Sequence, residues 1–172
     1  EAVEADLGAH HEHWKGSNMG KKGQNIGAKI ITINFQRKLY GSRENIIELI
    51  QRCKELQVDL VVGTEPGQGT PANIIMFMNL IAEYGYKSNY SVRDNQTIGG
   101  GTLIITNEQW SKIPTSRKVY EPTEREEKGR TMAVTFDNKI PGAHNKLQVI
   151  AVHGLNSAHT KEAHAIKQLQ WI

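Results

Sequence analysis

A strand, an amphipathic helix and a second strand follow one another between residues 29 and 62, and this succession limits the fold more than any other feature of the sequence. The stretches from Lys29 to Phe35 and from Val58 to Val62 are apolar and β-branched, which is typical of buried strands. Ser42 is a suitable helix cap, and after it apolar residues recur at steps of three and four. These residues are Ile46, Leu49, Ile50, Cys53 and Leu56. A unit of this kind favours parallel strands joined by a right-handed crossover.

The rest of the sequence predicts a further helix, four further strands and a closing helix. The helix spans Ala72 to Tyr84, with Met76 and Met78 as core packing. The strands span Tyr86–Val92, Thr102–Thr106, Thr131–Phe136 and Leu147–Val152, and the closing helix spans Thr160–Ile172. Short connections after Gly99 favour antiparallel neighbours. We therefore predict an α/β fold in which a mixed, mostly antiparallel sheet is flanked by helices.

Composition sets the domain organisation and excludes several classes of protein. The 172 residues suit one domain, and no apolar run approaches the roughly 20 residues that span a bilayer. A single cysteine excludes an internal disulfide framework, and no secretory pattern opens the sequence, so we expect an intracellular protein. Residues 1–27 are rich in glycine and histidine and are predicted to be a flexible leader without a specific metal role; residues 28–172 form the domain.

Three polar residues lie at or just after the carboxyl ends of predicted strands: Asn34, Glu65 and His153. In α/β sheets this edge forms the ligand-binding crevice. The Glu65 carboxylate beside a glycine-rich turn suits Mg²⁺ or Mn²⁺, Asn34 suits support of such an ion or of a phosphate oxygen, and His153 suits proton donation or hydrogen bonding. The alternative from spacing alone is an asparagine in a turn, a solvated glutamate and a core histidine.

The order of these motifs resembles the endonuclease/exonuclease/phosphatase superfamily over residues 28–172. The first strand ends in Asn34, and the second ends in a Glu-Pro pair at Glu65, which looks most like the non-LTR retrotransposon and apurinic endonuclease type. The Gly-Gly-Gly-Thr-Leu-Ile-Ile segment from Gly99 and the Gly-Arg pair ending at Arg130 are similar to later strands of the family. The segment from Val149 to Asn156 is similar to the family's His-Leu or Tyr-x-Pro-Asn strand end.

The resemblance implies a fold, a cofactor and a set of site residues. It implies the first half of a four-layer, DNase-like α/β sandwich, with Glu65 and Asn34 at an Mg²⁺ or Mn²⁺ site. It further implies that His153, Asn34 and Asn156 are catalytic and that Arg130 binds the substrate. The expected partner is nucleic acid.

The sequence also departs from the family pattern. Gly63-Thr64 precedes Glu65 where relatives carry a glutamine, and the sequence contains neither the Gly-Asp-x-Asn motif nor the Asp-His pair. We therefore expect a truncated domain that holds roughly the first of the two sheets. A bare sheet face would then require a protein partner, the remaining half of the domain or self-association.

Two functions remain open at this point. The first is an Mg²⁺-dependent phosphodiesterase of the endonuclease type, weak or inactive in this chain because the later motifs are absent. The second is a non-catalytic nucleic-acid-binding or scaffold subunit of a larger assembly, which the net charge of +3 permits. A lipid or inositol-phosphate phosphatase is a further alternative within the enzyme class.

Overall fold

The computed structural model describes residues 28–91, 101–119, 129–137 and 146–154. The predicted leader at residues 1–27, the predicted closing helix at 160–172 and Asn156 lie outside the described residues. No helix in the described ranges is long and apolar enough to cross a membrane.

The first sheet contains four strands and includes the predicted strand–helix–strand unit. Its strands are β1 (Ile30–Asn34), β2 (Leu60–Thr64), β3 (Lys87–Ser91) and β4 (Thr102–Thr106). They lie in the order β1-β2-β4-β3; β1 and β2 are parallel, and β4 is antiparallel to both of its neighbours. The parallel pairing and the mixed sheet are as the sequence predicts.

Two 13-residue helices pack beside this sheet, α1 (Arg43–Glu55) and α2 (Pro71–Glu83). Each begins at a hydroxyl cap: the backbone N–H of Asn45 donates to Ser42 Oγ, and that of Asn73 donates to Thr70 Oγ1. Their buried side chains form one hydrophobic core with β2, β4 and the segment before α1. Within α2 the buried residues are Ile74, Phe77, Leu80 and Ile81. Met78 is exposed, so the prediction that Met78 fills the core is wrong.

Two further elements follow that the sequence did not predict. One is a single helical turn, α3 (Glu108–Ser111), capped by Asn107. The other is strand β5 (Thr115–Val119), which forms a second, antiparallel sheet with β6 (Thr131–Phe136) and β7 (Leu147–Val152) in the order β5-β6-β7. Strand β5 is largely exposed and polar, so it lacks the apolar alternation of a half-buried strand.

The second sheet packs against the first and covers its inner face. Leu60 and Ile104 of the first sheet share a buried core with inward side chains of β6 and β7, namely Met132, Val134, Phe136, Val149 and Ala151. Trp110 of α3 meets Phe136 edge to face at 5.2 Å between ring centroids. The expectation that the chain holds roughly one sheet is therefore wrong, because alternation along a strand shows which residues turn inward but not which sheet the strand joins. A bare inner face no longer argues for self-association or a protein partner.

Candidate functional site

Four residues singled out from the sequence meet at one edge of the two packed sheets. Asn34 ends β1 and Glu65 directly follows β2, so the parallel pairing places them side by side. His153 directly follows β7 and Arg130 directly precedes β6, and the antiparallel pairing of those strands brings these two together. The fold thus joins the strand ends of both sheets in one place.

The backbone of Glu65 adopts a conformation that is unusual for a residue with a side chain. Its φ is +51°, in the left-handed region, which costs on the order of 1–3 kcal/mol for a non-glycine residue. Hydrogen bonds on both sides hold it there: its N–H donates to Gly101 O at 3.1 Å, and its carbonyl accepts from Arg37 N at 2.8 Å. Such strain persists where the surroundings fix it, and it occurs often at functional sites.

The loops that follow β1 and β2 are joined by backbone hydrogen bonds. Phe35 N donates to Thr64 O at 2.9 Å, and the N–H groups of Leu39 and Tyr40 both donate to Pro66 O, at 3.0 and 2.7 Å. The loops are so close that a Cβ on Gly67 would lie 2.8 Å from the carbonyl oxygen of Arg37. Because the two loops are hydrogen bonded to each other through their main chains, the main chain sets the spacing between the two strand ends.

The carboxylate of Glu65 receives two side-chain contacts on one oxygen. His153 Nε2 lies 2.9 Å from Glu65 Oε1, and Asn34 Nδ2 donates to the same oxygen at 3.5 Å. The amide orientation of Asn34 is set by Gln36, whose backbone N–H donates to Asn34 Oδ1 at 2.9 Å. The side chains of His153 and Glu65 are 13% and 22% exposed, so the pair is partly desolvated but is still reached by solvent.

Arg130 contacts the opposite ring nitrogen of His153. Its Nη1 lies 3.2 Å from His153 Nδ1 and donates to the carbonyl oxygen of Gly154 at 2.7 Å. The main chains are also bonded, since His153 N donates to Arg130 O at 2.7 Å. Arg130 is only 7% exposed, so its guanidinium is enclosed behind the imidazole.

The structure therefore brings together Asn34, Glu65, Arg130 and His153, while Asn156 lies outside the described residues. Sequence reasoning missed the backbone groups that hold the site, among them Gly101 O and Pro66 O. The glycine run before β4 and the Glu65-Pro66 pair were visible, but a carbonyl group has no residue-specific signal.

The donor atoms at this site fit a hard, partly hydrated cation held by one carboxylate. Both side-chain contacts fall on Glu65 Oε1, and within the described residues no hydrogen bond reaches Oε2. Mg²⁺ commonly binds one or two carboxylates and completes its octahedron with water and phosphate oxygens. Asn34 presents its nitrogen to Glu65 and engages its oxygen with Gln36, which suits a supporting role. Across the described ranges, no group of three or more His, Cys, Asp or Glu residues could hold a metal ion.

Comparison with known proteins establishes the fold. No family model matches this sequence, and no curated protein does. An endonuclease/exonuclease/phosphatase family protein from Leptotrichia buccalis C-1013-b is 14% identical with a TM-score of 0.54, over 84% of this chain and 61% of that one. The AP endonuclease LMAP from Leishmania major is 14% identical with a TM-score of 0.56, over 83% and 44%. Humanized TDP2 of D. rerio is 16% identical with a TM-score of 0.53, over 83% and 53%.

These similarities confirm the predicted fold class: the chain has the mixed α/β, two-sheet fold of endonuclease/exonuclease/phosphatase proteins. It spans about half the length of the solved structures that it matches. At 14–16% identity the likeness concerns the fold, so the roles of Asn34, Glu65, Arg130, His153 and Asn156 stay predictions.

Proposed function

We propose that this protein is an Mg²⁺- or Mn²⁺-dependent phosphodiesterase of the endonuclease type that acts on nucleic acid. One observation carries the proposal. The partly buried Glu65 carboxylate lies at the strand ends, 2.9 Å from His153 Nε2 and 3.5 Å from Asn34 Nδ2, in a fold that an AP endonuclease shares. Strained backbone, a partly buried carboxylate and a histidine at the carboxyl edge of a sheet are together typical of catalytic sites.

Glu65 is the residue that would hold the cation, through the carboxylate oxygen that His153 and Asn34 leave open. When bound there, a divalent ion would supply Lewis-acid stabilisation of the phosphoryl oxygens and would lower the pKa of bound water. Asn34 keeps the carboxylate in place by donating to its other oxygen. The hydrogen-bonded loops after β1 and β2 hold this geometry in the absence of a ligand. Less free energy is then needed to order the site when a ligand binds.

His153 is the proposed contact to the scissile phosphate. Its Nε2 is hydrogen bonded to Glu65 in this structure. The same N–H is the group that would donate to a phosphoryl oxygen bound beside Glu65. Asn156 is proposed as a further substrate contact because it follows the same strand by four residues.

The test is metal-dependent nicking of supercoiled plasmid. We expect Mg²⁺ or Mn²⁺ to support nicking, EDTA to abolish it, and Glu65→Gln to abolish it while the fold is retained. Glu48→Gln is the matched control, because Glu48 is an exposed carboxylate on α1, away from the strand ends. Equal nicking by the wild type and Glu65→Gln would contradict the proposal.

The same samples separate the second hypothesis. Nucleic-acid binding measured by fluorescence anisotropy, unchanged by Glu65→Gln and accompanied by no nicking in any metal, would identify a binding subunit rather than an enzyme. A salt-dependent affinity is expected in either case, because cationic side chains would neutralise phosphates.

A further inference from the structure

The burial of Arg130 argues against direct contact between its guanidinium and a nucleic-acid strand. An arginine that reaches a backbone phosphate stands at the surface, whereas Arg130 is 7% exposed. A buried guanidinium is costly unless its N–H groups are hydrogen bonded. Within the described residues, the hydrogen bonds of its Nη1 are made with three atoms: His153 Nδ1, His153 O and Gly154 O.

The chemistry of these contacts determines where the imidazole proton sits. Arginine remains protonated in proteins and its guanidinium only donates, so the 3.2 Å contact makes Nδ1 the acceptor. A ring nitrogen accepts only when it carries no proton, which in neutral histidine places the proton on Nε2. On the other side of the ring Nε2 lies 2.9 Å from Glu65 Oε1, which accepts. The Nδ1 contact therefore selects the Nε2–H tautomer, and the Nε2 contact with Glu65 is compatible with it.

The same arginine also fixes the direction of the ring. Nη1 donates to Gly154 O at 2.7 Å, and His153 N donates to Arg130 O at 2.7 Å. The side chain and the main chain of Arg130 are therefore both hydrogen bonded to the residues that follow β7. The hydrogen bond that one ring nitrogen makes sets the tautomer and orientation that the other presents. The end of β7 and the start of β6 thus act together on one side chain.

We propose that Arg130 is a positioning residue that holds His153 as the neutral Nε2–H tautomer and aims that N–H at Glu65 and the proposed phosphate site. The part concerning phosphate rests on the proposed function; the part concerning the tautomer does not. Arg130 then acts on the substrate through His153 and not by touching it, in place of the substrate-binding role that the family resemblance implies.

Imidazole nitrogen NMR of the ¹⁵N-histidine-labelled full chain tests this directly. The chain has seven histidines, and His153 is assigned by loss of its signals in His153→Gln. In the wild type we expect Nδ1 in the range of an unprotonated ring nitrogen and Nε2 in the protonated range. An Nδ1–H tautomer for His153 in the wild type would overturn the proposal without any variant at position 130.

Three variants sharpen the test. Arg130→Met keeps a long side chain without donors and is expected to give a mixture of tautomers. Arg130→Lys restores a cationic donor and is expected to recover part of the wild-type pattern. Arg117→Met is the control, since Arg117 is an exposed strand arginine that donates to Tyr90 O at 2.9 Å. Amide spectra confirm folding, and an unchanged His153 pattern in folded Arg130→Met would refute the proposal.

Nicking kinetics provide the second readout. Loss of a partner that orients a functional histidine typically lowers activity by roughly 10–100-fold, so kcat should fall by that amount in Arg130→Met with KM nearly unchanged. A rise in KM at constant kcat would instead identify Arg130 as a binding residue and overturn the positioning role. If the tautomer behaves as expected but no protein nicks DNA, the nuclease proposal fails and the assignment of Arg130 stands.

Discussion

The two ends of strand β2 each carry a carboxylate, and the two are used in opposite ways. Asp59 directly precedes the strand, and both of its oxygens are occupied: Oδ2 accepts from Lys29 N at 2.7 Å, and Oδ1 accepts from Asn107 Nδ2 at 2.8 Å. Glu65 directly follows the strand, and both of its side-chain contacts fall on one oxygen. The Asp59 carboxylate is therefore fully satisfied within the protein, whereas Glu65 Oε2 has no hydrogen bond within the described residues and is the atom at which we propose that a cation binds.

The backbone shows the same contrast. At the Asp59 end, Asn107 N donates to Asp59 O at 2.9 Å and α3 begins in its ordinary capped form. At the Glu65 end the main chain is held at positive φ, and the neighbouring loop needs a glycine at Gly67. Left-handed backbone occurs near both ends, at Gln57 with φ of +54° and at Glu65 with φ of +51°, but only at the second end does it fall on the carboxylate residue itself. Backbone strain at the residue that would contact a ligand is the pattern expected of a functional site.

The largest expected effects are a loss of activity on substitution of Glu65 and a loss of stability on substitution of Asp59. Glu65→Gln should lower metal-dependent nicking by roughly 100-fold or more and leave the free energy of unfolding within about 1 kcal/mol of the wild type. Asp59→Ala should do the reverse, costing about 1–3 kcal/mol of unfolding free energy because two donors lose a charged acceptor, with nicking retained well below the melting temperature. Plasmid nicking and urea unfolding measure the two quantities, and parallel losses in both variants would break the comparison.

Cys53 lies near the Asp59 end of β2, and its thiol should react slowly with alkylating reagents in the native protein. It is buried in the last turns of α1, and burial raises the pKa of its thiol to about 11. We expect iodoacetamide at pH 8 to label native protein roughly 100-fold more slowly than protein unfolded in guanidinium. Because the folded pKa lies above the unfolded one, the thiol contributes stability that is present below the unfolded pKa and is lost as the pH rises towards 11. Rapid labelling of native protein would show that this end opens.

A substitution at Gly67 tests the close contact between the loops that follow β1 and β2. With φ at +113° and a Cβ that would meet Arg37 O at 2.8 Å, Gly67→Ala should cost about 2 kcal/mol or more of unfolding free energy and should also reduce nicking. Gly41→Ala is the matched control, because φ is +84° there but a Cβ would meet only the Asn73 side chain, at 3.4 Å. We expect a smaller loss at Gly41, of about 1–2 kcal/mol, and an equal loss at both positions would argue against close loop contact.

The smallest expected effect is that of Glu108 in α3. Its pKa is lowered by the hydrogen bond and charge of Lys112, whose Nζ lies 2.9 Å from Glu108 Oε1. A lowered folded pKa gives stability that is present above the unfolded pKa and is lost as the pH falls through the folded one. Since the pair is exposed and screened by salt, Glu108→Gln should flatten the acid side of the stability curve only slightly, and less at high salt. A large effect would show that α3 is held by this pair and not by the buried Trp110.

Much of the fold was readable from the sequence, and the misses have physical causes. Strands β4, β6 and β7 have the predicted bounds because their residues are apolar and β-branched. Strand β5 was missed because its Thr-Ser-Arg-Lys-Val sequence gives no alternating pattern. The faces of α2 were misjudged at Met78 because that helix is apolar nearly all round, so periodicity cannot choose a face.

The site was predictable as a set of residue types but not as an arrangement. Strand-end position alone selected Asn34, Glu65 and His153, because the carboxyl ends of strands form the ligand-binding crevice of α/β sheets. The positive φ of Glu65 and the enclosure of Arg130 behind His153 depend on pairing between segments far apart in sequence. A local pattern contains no signal for either.

Binding of Mn²⁺ to the ¹⁵N-labelled full chain shows at which end of β2 a divalent cation binds. The two ends of β2 are roughly 20 Å apart, at about 3.3 Å per residue, which paramagnetic broadening of amide signals resolves easily. We expect Mn²⁺ to broaden the amide signals around Asn34, Glu65 and His153 and to spare those around Asp59 and Asn107. This broadening should be lost in Glu65→Gln. Broadening centred on Asp59, or the same broadening in Glu65→Gln as in the wild type, would contradict the proposed cation site at Glu65.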